Sequence, residues 1–150
     1  MYKHILVPTD GSKLSLKAAR EAATLARTLK ARITAVYVTE PYMPPLITEG
    51  MSYNRSLTAD QASYKAAAAK AASAALKKVQ QAAENANVAF EGVATEESQP
   101  WEGILKTART KKCDVIVMAS HGRGAIAGVI LGSETAKVLS NSKTPVLVCR

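Results

Sequence analysis

The chain has 150 residues, of which 47% are hydrophobic and 21% are charged, and its formal net charge is +8. This length favours one domain over residues 1–150, and this composition is typical of a soluble globular protein rather than a disordered or membrane-spanning one. No apolar run approaches the roughly 18 residues that a membrane span requires, and the chain starts without the apolar core of a secretory signal. We therefore expect a cytoplasmic protein with no membrane partner.

The positive charge is compatible with anionic partners such as a nucleotide, a nucleic acid or a membrane surface. The Lys and Arg residues are scattered through the helical segments, with no run of five and no stacking aromatic residues between them. This distribution favours solvated helix faces, so a nucleic-acid partner is not expected.

The two cysteines, Cys113 and Cys149, are far apart and stand in neither a metal-ligand nor a CxxC spacing. A disulfide framework is therefore excluded. Each cysteine borders a predicted strand, which favours inert, buried thiols over redox sensing.

The first 38 residues alternate between strand and helix patterns. Residues 4–9 contain a continuous apolar run, which is typical of a central strand covered on both faces, and His4 is expected to be an exposed residue of that strand. Residues 10–12 supply a turn and an N-cap for an amphipathic helix over residues 14–30. Residues 32–38, rich in β-branched side chains, are predicted as the second strand.

The middle of the chain holds a predicted loop and a long helix. Residues 39–57 contain three prolines and a glycine, which cannot sustain a helix, and we predict a mobile loop there. Thr58 with Gln61 has the form of a capping box. It opens an alanine-rich segment that is predicted to be helical to residue 86.

The last third continues the alternation. Strands are predicted over residues 88–95, 114–119 and 146–149, with a helix between the first two that ends at Lys111 and a short helix over residues 133–139. Strands that alternate with helices imply parallel crossovers, so the predicted class is a doubly wound α/β fold with helices on both faces of the sheet.

In such a sheet, ligands bind at the carboxyl ends of strands where the strand order reverses. Two turns that follow predicted strands carry unusual residues, at 8–12 and 119–124. Gly122, Gly132 and Ser133 together predict a phosphate cradle, because glycines permit close backbone approach and positive φ, and a helix start favours anions. The Ser133 hydroxyl could donate to phosphate or merely cap the fourth helix.

Two familiar phosphate motifs do not apply. The chain contains no GxxxxGK[ST], which excludes a P-loop. A G-x-G-x-x-A match begins at Gly122, but no acidic residue follows about 20 positions later to hold a ribose, which argues against a dinucleotide site.

Three segments, in this order, resemble the universal stress protein family: ILVPTDGS at 5–12, VIVMASHGRG from 115 with ILGS to 133, and PVLV at 145–148. The resemblance covers the whole chain. It implies a five-stranded, Rossmann-like parallel sheet of order 3-2-1-4-5, similar to the adenine nucleotide alpha hydrolase-like folds. It also implies a homodimer in which the C-terminal strands, residues 146–149, pair across the two-fold axis.

Members of that family that bind ATP carry the pattern G-x2-G-x9-G-[S/T]. Gly122, Gly132 and Ser133 match its later positions, whereas Ala119 replaces its first glycine. A methyl group at Ala119 is a small obstruction in an ordinary backbone conformation but a serious one if positive φ is required.

The resemblance also implies the site residues. The adenosine side is expected to be lined by Pro8, Thr9, Asp10, Val38, Met118 and Ala119. The phosphates are expected to be surrounded by Gly122, Arg123, Gly132, Ser133, Glu134 and Thr135, with Glu134 acting through its amide. Asp10 could instead support Mg²⁺ or Mn²⁺ or cap the first helix, and His121 could contact phosphate or stabilise its own turn.

These observations favour a regulatory dimer of the stress response that binds ATP, or alternatively ADP or AMP. A second hypothesis is slow ATP hydrolysis at the same site, although Asp10, Arg123 and His121 offer little of the charge neutralisation that efficient turnover needs. A third is a nucleotide-free dimer that acts through protein contacts, which the alanine at position 119 makes credible. No catalytic residue is assigned.

Overall fold

The computed structural model describes residues 1–44, 55–123 and 131–150, without the side chains of 55–57. None of the helices in these ranges is long and apolar enough to cross a membrane. Strands and helices alternate along the described chain as β1 (His4–Pro8), α1 (Lys13–Leu29), β2 (Arg32–Thr39), α2 (Arg55–Asn85), β3 (Phe90–Glu96), α3 (Pro100–Thr110), β4 (Val115–Ala119), α4 (Ser133–Asn141) and β5 (Val146–Cys149).

The strands form one parallel sheet of order β3-β2-β1-β4-β5, which confirms the predicted fold and strand order. β1 lies at the centre, where Ile5 pairs with Ile33 of β2 on one side and with Val115 of β4 on the other. The order reverses between β1 and β4, so their carboxyl ends lie side by side. This edge of the sheet is where a parallel fold places its ligands.

Helices cover both faces of the sheet, and β1 is consequently buried along its whole length. Ile5 and Val7 point to one face and pack with the small side chains of α1 and α2. Leu6 points to the other face, where its cluster includes Ile104 of α3 and Val138 of α4. This two-sided packing explains why the strand is continuously apolar rather than alternating.

The predicted capping box at Thr58 is wrong. α2 begins at Arg55, so Thr58 lies inside the helix rather than before it. The good helix formers around Thr58 extend the helix towards the N-terminus, beyond the start that the motif suggested. The predicted mobile loop falls largely on residues 45–54, outside the described residues, and residues 41–44 form neither helix nor strand.

The two cysteines are both buried, as predicted. Burial raises the pKa of Cys113 to about 11 and that of Cys149 to about 12. Both groups therefore remain protonated thiols at neutral pH, the form that is unreactive as a nucleophile.

The prediction that His4 is exposed is wrong. Its side chain is only 4% exposed, and its Nε2 atom lies 2.7 Å from the Thr34 hydroxyl oxygen on β2. No group in the described part of the chain bonds its Nδ1 atom. Burial lowers the pKa of His4, and the nearby Arg32 adds to this, while the carboxylates of Asp114 and Glu91 oppose it.

We expect the protein to lose stability as the pH falls below about 6.5, the value at which an unperturbed histidine takes up its proton. Because the pKa of His4 is lowered in the fold, the unfolded chain binds more protons in this range, and the free energy of unfolding decreases. Urea unfolding between about pH 5 and pH 8 measures this loss, which the His4→Gln variant should lack.

The His121→Gln variant is the matched control, since it removes the chain's other histidine. It should keep the pH-dependent loss. An undiminished loss in His4→Gln would show that another group causes it.

Candidate functional site

A cleft of about 760 Å³ opens at the carboxyl ends of β1 and β4. Its volume lies in the range of small-molecule sites. Every residue that the sequence analysis assigned to the site lines this cleft: Pro8, Thr9, Asp10, Val38, Met118, Ala119, His121, Gly122, Arg123, Gly132, Ser133, Glu134 and Thr135. The lining residues that sequence reasoning missed are Ser15, Val36, Tyr37, Glu40, Pro100, Ile104 and Leu131.

Most of the missed residues carry a signal that is visible only in three dimensions. Val36 and Tyr37 lie in the second half of β2, the strand next to β1, and Glu40 follows its last residue; Val36 pairs with Pro8 at the end of β1. Pro100 and Ile104 belong to α3, which packs against β2. Adjacency to β1 in the sheet, once the strand order is known, is the observation that could have found them.

The Asp10 carboxylate joins the loop after β1 to the loop after β4. Its Oδ1 atom accepts a hydrogen bond from the Ser12 amide, and its Oδ2 atom accepts one from the Arg123 amide, both at 2.9 Å. Ser12, not Asp10, caps α1, because the Ser12 hydroxyl accepts from the Ser15 amide at 3.1 Å. The helix-capping alternative for Asp10 is therefore wrong.

Partial burial by itself would raise the pKa of Asp10. Hydrogen bonds from Ser12, Ser15 and the Arg123 amide outweigh burial and hold the pKa below its ordinary value. Asp10 is consequently ionised at neutral pH. The group that accepts the hydrogen bonds from both loops is therefore a negatively charged carboxylate.

Gly122 lies where a side chain would collide with Asp10. A Cβ atom added there would stand 2.5 Å from Asp10 Oδ2, far inside contact distance. Within the described residues, the glycine with positive φ is Gly11, at 79°, and not Gly122. Close approach, rather than a left-handed backbone, is thus what requires glycine at position 122.

Gly132 brings the start of α4 against the same loop. Its amide donates to the Ser120 carbonyl oxygen at 2.7 Å, and a Cβ atom added to it would stand 3.0 Å from the His121 Cα atom. The two glycine turns therefore converge, as predicted. The Gly132 amide, already bonded to Ser120, is not available to a ligand.

The donors left for an anion are those of the first turn of α4. Gly132 is the N-cap and Ser133 the first helical residue, so the Ser133 hydroxyl does not cap the helix. The amides of Ser133, Glu134 and Thr135 have no acceptor among the described residues. Together with the helix dipole, they form a positive end that favours phosphate.

The side chains of Glu134 and Thr135 face away from such a ligand. The Glu134 carboxylate accepts hydrogen bonds from the Trp101 amide at 2.9 Å and from Lys137 Nζ at 3.0 Å. The Thr135 hydroxyl donates to the Ala119 carbonyl oxygen at 3.0 Å. The side-chain oxygens of both residues are therefore occupied by bonds within the described chain, whereas their amides are not.

Several other predicted residues also have structural bonds. The Thr9 hydroxyl lies 3.1 Å from the Ser15 hydroxyl oxygen and accepts from the Gly11 amide at 3.2 Å. His121 Nδ1 lies 3.1 Å from the Ser120 hydroxyl oxygen, the turn-stabilising contact considered for it.

Ala119 and Val38 close the inner wall of the cleft. Ala119 is absent from the described residues with positive φ, so its methyl group is only a small obstruction. The Val38 methyl carbons lie 2.8 Å from where a Cβ atom of Gly103 would stand, which means that this side chain packs tightly on α3.

Substituting Gly122 with alanine should lower the free energy of unfolding by roughly 1–3 kcal/mol, because the new methyl group must displace the Asp10 carboxylate. Gly92→Ala is the matched control, since a Cβ atom there would meet only the Phe90 and Leu76 side chains at 3.4 Å or more. Urea unfolding measures both. Equal stability of the Gly122 variant and the wild type would contradict the close approach.

A doubly wound parallel sheet with a glycine-lined cleft at its reversal defines an α/β protein of the Rossmann-like class. The universal stress protein family model matches residues 1–150. The chain belongs to that family.

Relatives of known sequence or structure agree with this assignment. Universal stress protein MJ0531 of Methanocaldococcus jannaschii is 34% identical over all of this chain and 83% of its own length. The structure of UspA from Lactobacillus plantarum has a TM-score of 0.82 and 25% identity, covering 99% of this chain and 98% of its own. A universal stress protein in complex with cAMP has a TM-score of 0.71 and 28% identity, covering 99% and 97%.

Proposed function

We propose that this protein is a cytoplasmic regulatory dimer of the stress response that binds ATP, or a related adenine nucleotide, in the cleft. The observation that carries the proposal is the set of free amides on the first turn of α4, held beside the Gly122 turn. Backbone amides at a helix start are a general phosphate-binding device.

The relative in complex with cAMP supports an adenine nucleotide as the ligand, since it shares 28% of its sequence with this chain over nearly the full length. The cleft is also large enough for the purpose, at about 760 Å³. An apolar inner wall that includes Val36, Ile104 and Met118 suits a base, and the polar loops at its mouth suit phosphates.

In the proposed complex, adenosine lies against Pro8, Thr9, Val38, Met118 and Ala119. The phosphates lie at the Gly122 turn and at the amides of Ser133, Glu134 and Thr135, while Gly132 holds the start of α4 against the loop after β4. The Ser133 hydroxyl, which does not cap α4, adds a further donor. Arg123, whose guanidinium group stands near Gly11, supplies positive charge at the mouth of the cleft.

A divalent ion fits this arrangement only together with the nucleotide. Among the described residues, no three His, Cys, Asp or Glu side chains are grouped so as to hold a metal. Asp10 would hold Mg²⁺ or Mn²⁺ with one carboxylate, and the phosphates would supply the other oxygen ligands, which is the usual way in which Mg²⁺ is bound beside phosphates. The ion would neutralise phosphate charge.

Isothermal titration with ATP and Mg²⁺ tests the proposal. Ser133→Ala should weaken binding about fivefold, the equivalent of about 1 kcal/mol for one hydrogen bond. Gly132→Val should abolish binding, since its side chain would push α4 away from the His121 backbone. Ser140→Ala, an exposed serine on the same helix but outside the cleft, is the control and should bind like the wild type.

A folded wild-type protein that ignores millimolar adenine nucleotides would contradict the proposal and leave the nucleotide-free dimer. The circular dichroism of the Gly132 variant must match that of the wild type for its result to count. Inorganic phosphate released in the same samples separates binding from hydrolysis.

The proposed dimer contact is β5. This strand pairs only with β4 in the described sheet, so its outer edge is unpaired. Leu147 on this strand is 47% exposed, and Leu139 of α4 is 41% exposed. An unpaired edge with exposed leucines invites pairing with a second copy of the chain.

Leu147→Lys should convert the dimer to a monomer, because a charge at the centre of the paired edge opposes burial. Analytical ultracentrifugation measures the mass of the particle. Met43→Lys, at another exposed apolar residue, is the control and should remain dimeric. A wild-type protein that sediments as a monomer at high concentration would contradict the proposed contact.

A further inference from the structure

A second groove, of about 350 Å³, lies between α1 and α2. None of its lining residues lines the cleft at the carboxyl ends of the strands. Small side chains, among them Ala23, Ala82 and Ala86, form part of its lining. The groove is therefore a separate concave surface, which the proposed nucleotide site does not use.

Positively charged side chains line this groove from both helices. Arg20 and Arg27 are seven residues apart, so they lie on one face of α1 and are separated by about 10 Å along its axis. Lys78 contributes from α2, and Gln81 and Asn85 follow it at helical spacing with amide groups that can donate hydrogen bonds. The groove thus carries donors along two helical turns.

These charges are not neutralised within the described residues. The ion pairs there involve other lysines, such as Lys17 with Glu21 at 4.0 Å, and none includes Arg20, Arg27 or Lys78. No acidic residue is among those that line the groove. A concave surface with unbalanced positive charge attracts anions.

We propose that the groove binds a linear chain of phosphate groups without bases, as in inorganic polyphosphate. A guanidinium group can bind phosphate through two parallel hydrogen bonds. Two arginines whose backbone positions lie about 10 Å apart along α1 can each bind a different, non-adjacent phosphate of one extended chain, which a single phosphate ion does not offer. The described lining contains no aromatic residue. Single-stranded nucleic acids are held largely by stacking on aromatic side chains, so this groove favours a chain without bases.

Titration of inorganic polyphosphate into the full-length protein tests the proposal. The triple variant Arg20→Gln, Arg27→Gln, Lys78→Gln should bind at least about tenfold more weakly, since it loses all three charge-assisted contacts. The control triple variant Lys65→Gln, Lys70→Gln, Lys143→Gln loses the same charge from exposed positions outside the groove and should bind within about twofold of the wild type.

Salt dependence gives a second measurement. Three phosphate contacts predict a slope of about −2 for log affinity against log salt concentration, and the groove variant should reduce this slope towards zero. The ATP affinity of the groove variant should stay unchanged, which keeps this test distinct from that of the nucleotide cleft.

Three results would overturn the proposal. An equal loss of affinity in both triple variants would mean that only overall charge matters. Displacement of polyphosphate by excess ATP would place it in the cleft. Equal affinity for polyphosphate and for single-stranded DNA with the same number of phosphates would assign the groove to nucleic acid.

Discussion

The site depends on the carboxylate of Asp10, which holds together two loops that are far apart in the sequence. One oxygen accepts from Ser12 at the start of α1, and the other accepts from the Arg123 amide after β4. This bridge is possible only because Gly122 has no side chain. The ionised Asp10 carboxylate and the absence of a side chain at Gly122 therefore set the distance between the two halves of the cleft. Gly132 then allows the start of α4 to pack against the same loop.

The two ends of the sheet differ in how their polar groups are hydrogen-bonded. At the carboxyl end, loops and the first turn of α4 leave backbone amides without acceptors in the described chain, which is costly unless a ligand or water satisfies them. At the amino end Asp114 accepts from the amides of Lys3 at 2.6 Å and His4 at 2.8 Å, and His4 Nε2 contacts the Thr34 hydroxyl, although His4 Nδ1 has no partner in the described chain.

Much of this arrangement could be predicted from the sequence. The apolar run at 5–7 revealed a central strand, and the glycine turns indicated the cleft, because both features express backbone requirements that residue type records directly. Burial of His4 was missed because a polar side chain hides the two-sided packing of β1. The Thr58 motif misled because local propensity extended α2 to Arg55. Whether Ser133 or Gly132 caps α4 depends on loop geometry, which no local pattern encodes.

The central claim is that the first turn of α4 and the Gly122 turn together hold phosphate. Two-dimensional amide NMR during an ATP titration tests it residue by residue. We expect the largest shifts at the amides of Ser133, Glu134 and Gly122, while those of Arg20 and Arg27 in the α1–α2 groove stay in place. Saturating ATP that leaves the three cleft amides unshifted would contradict phosphate binding at these two turns.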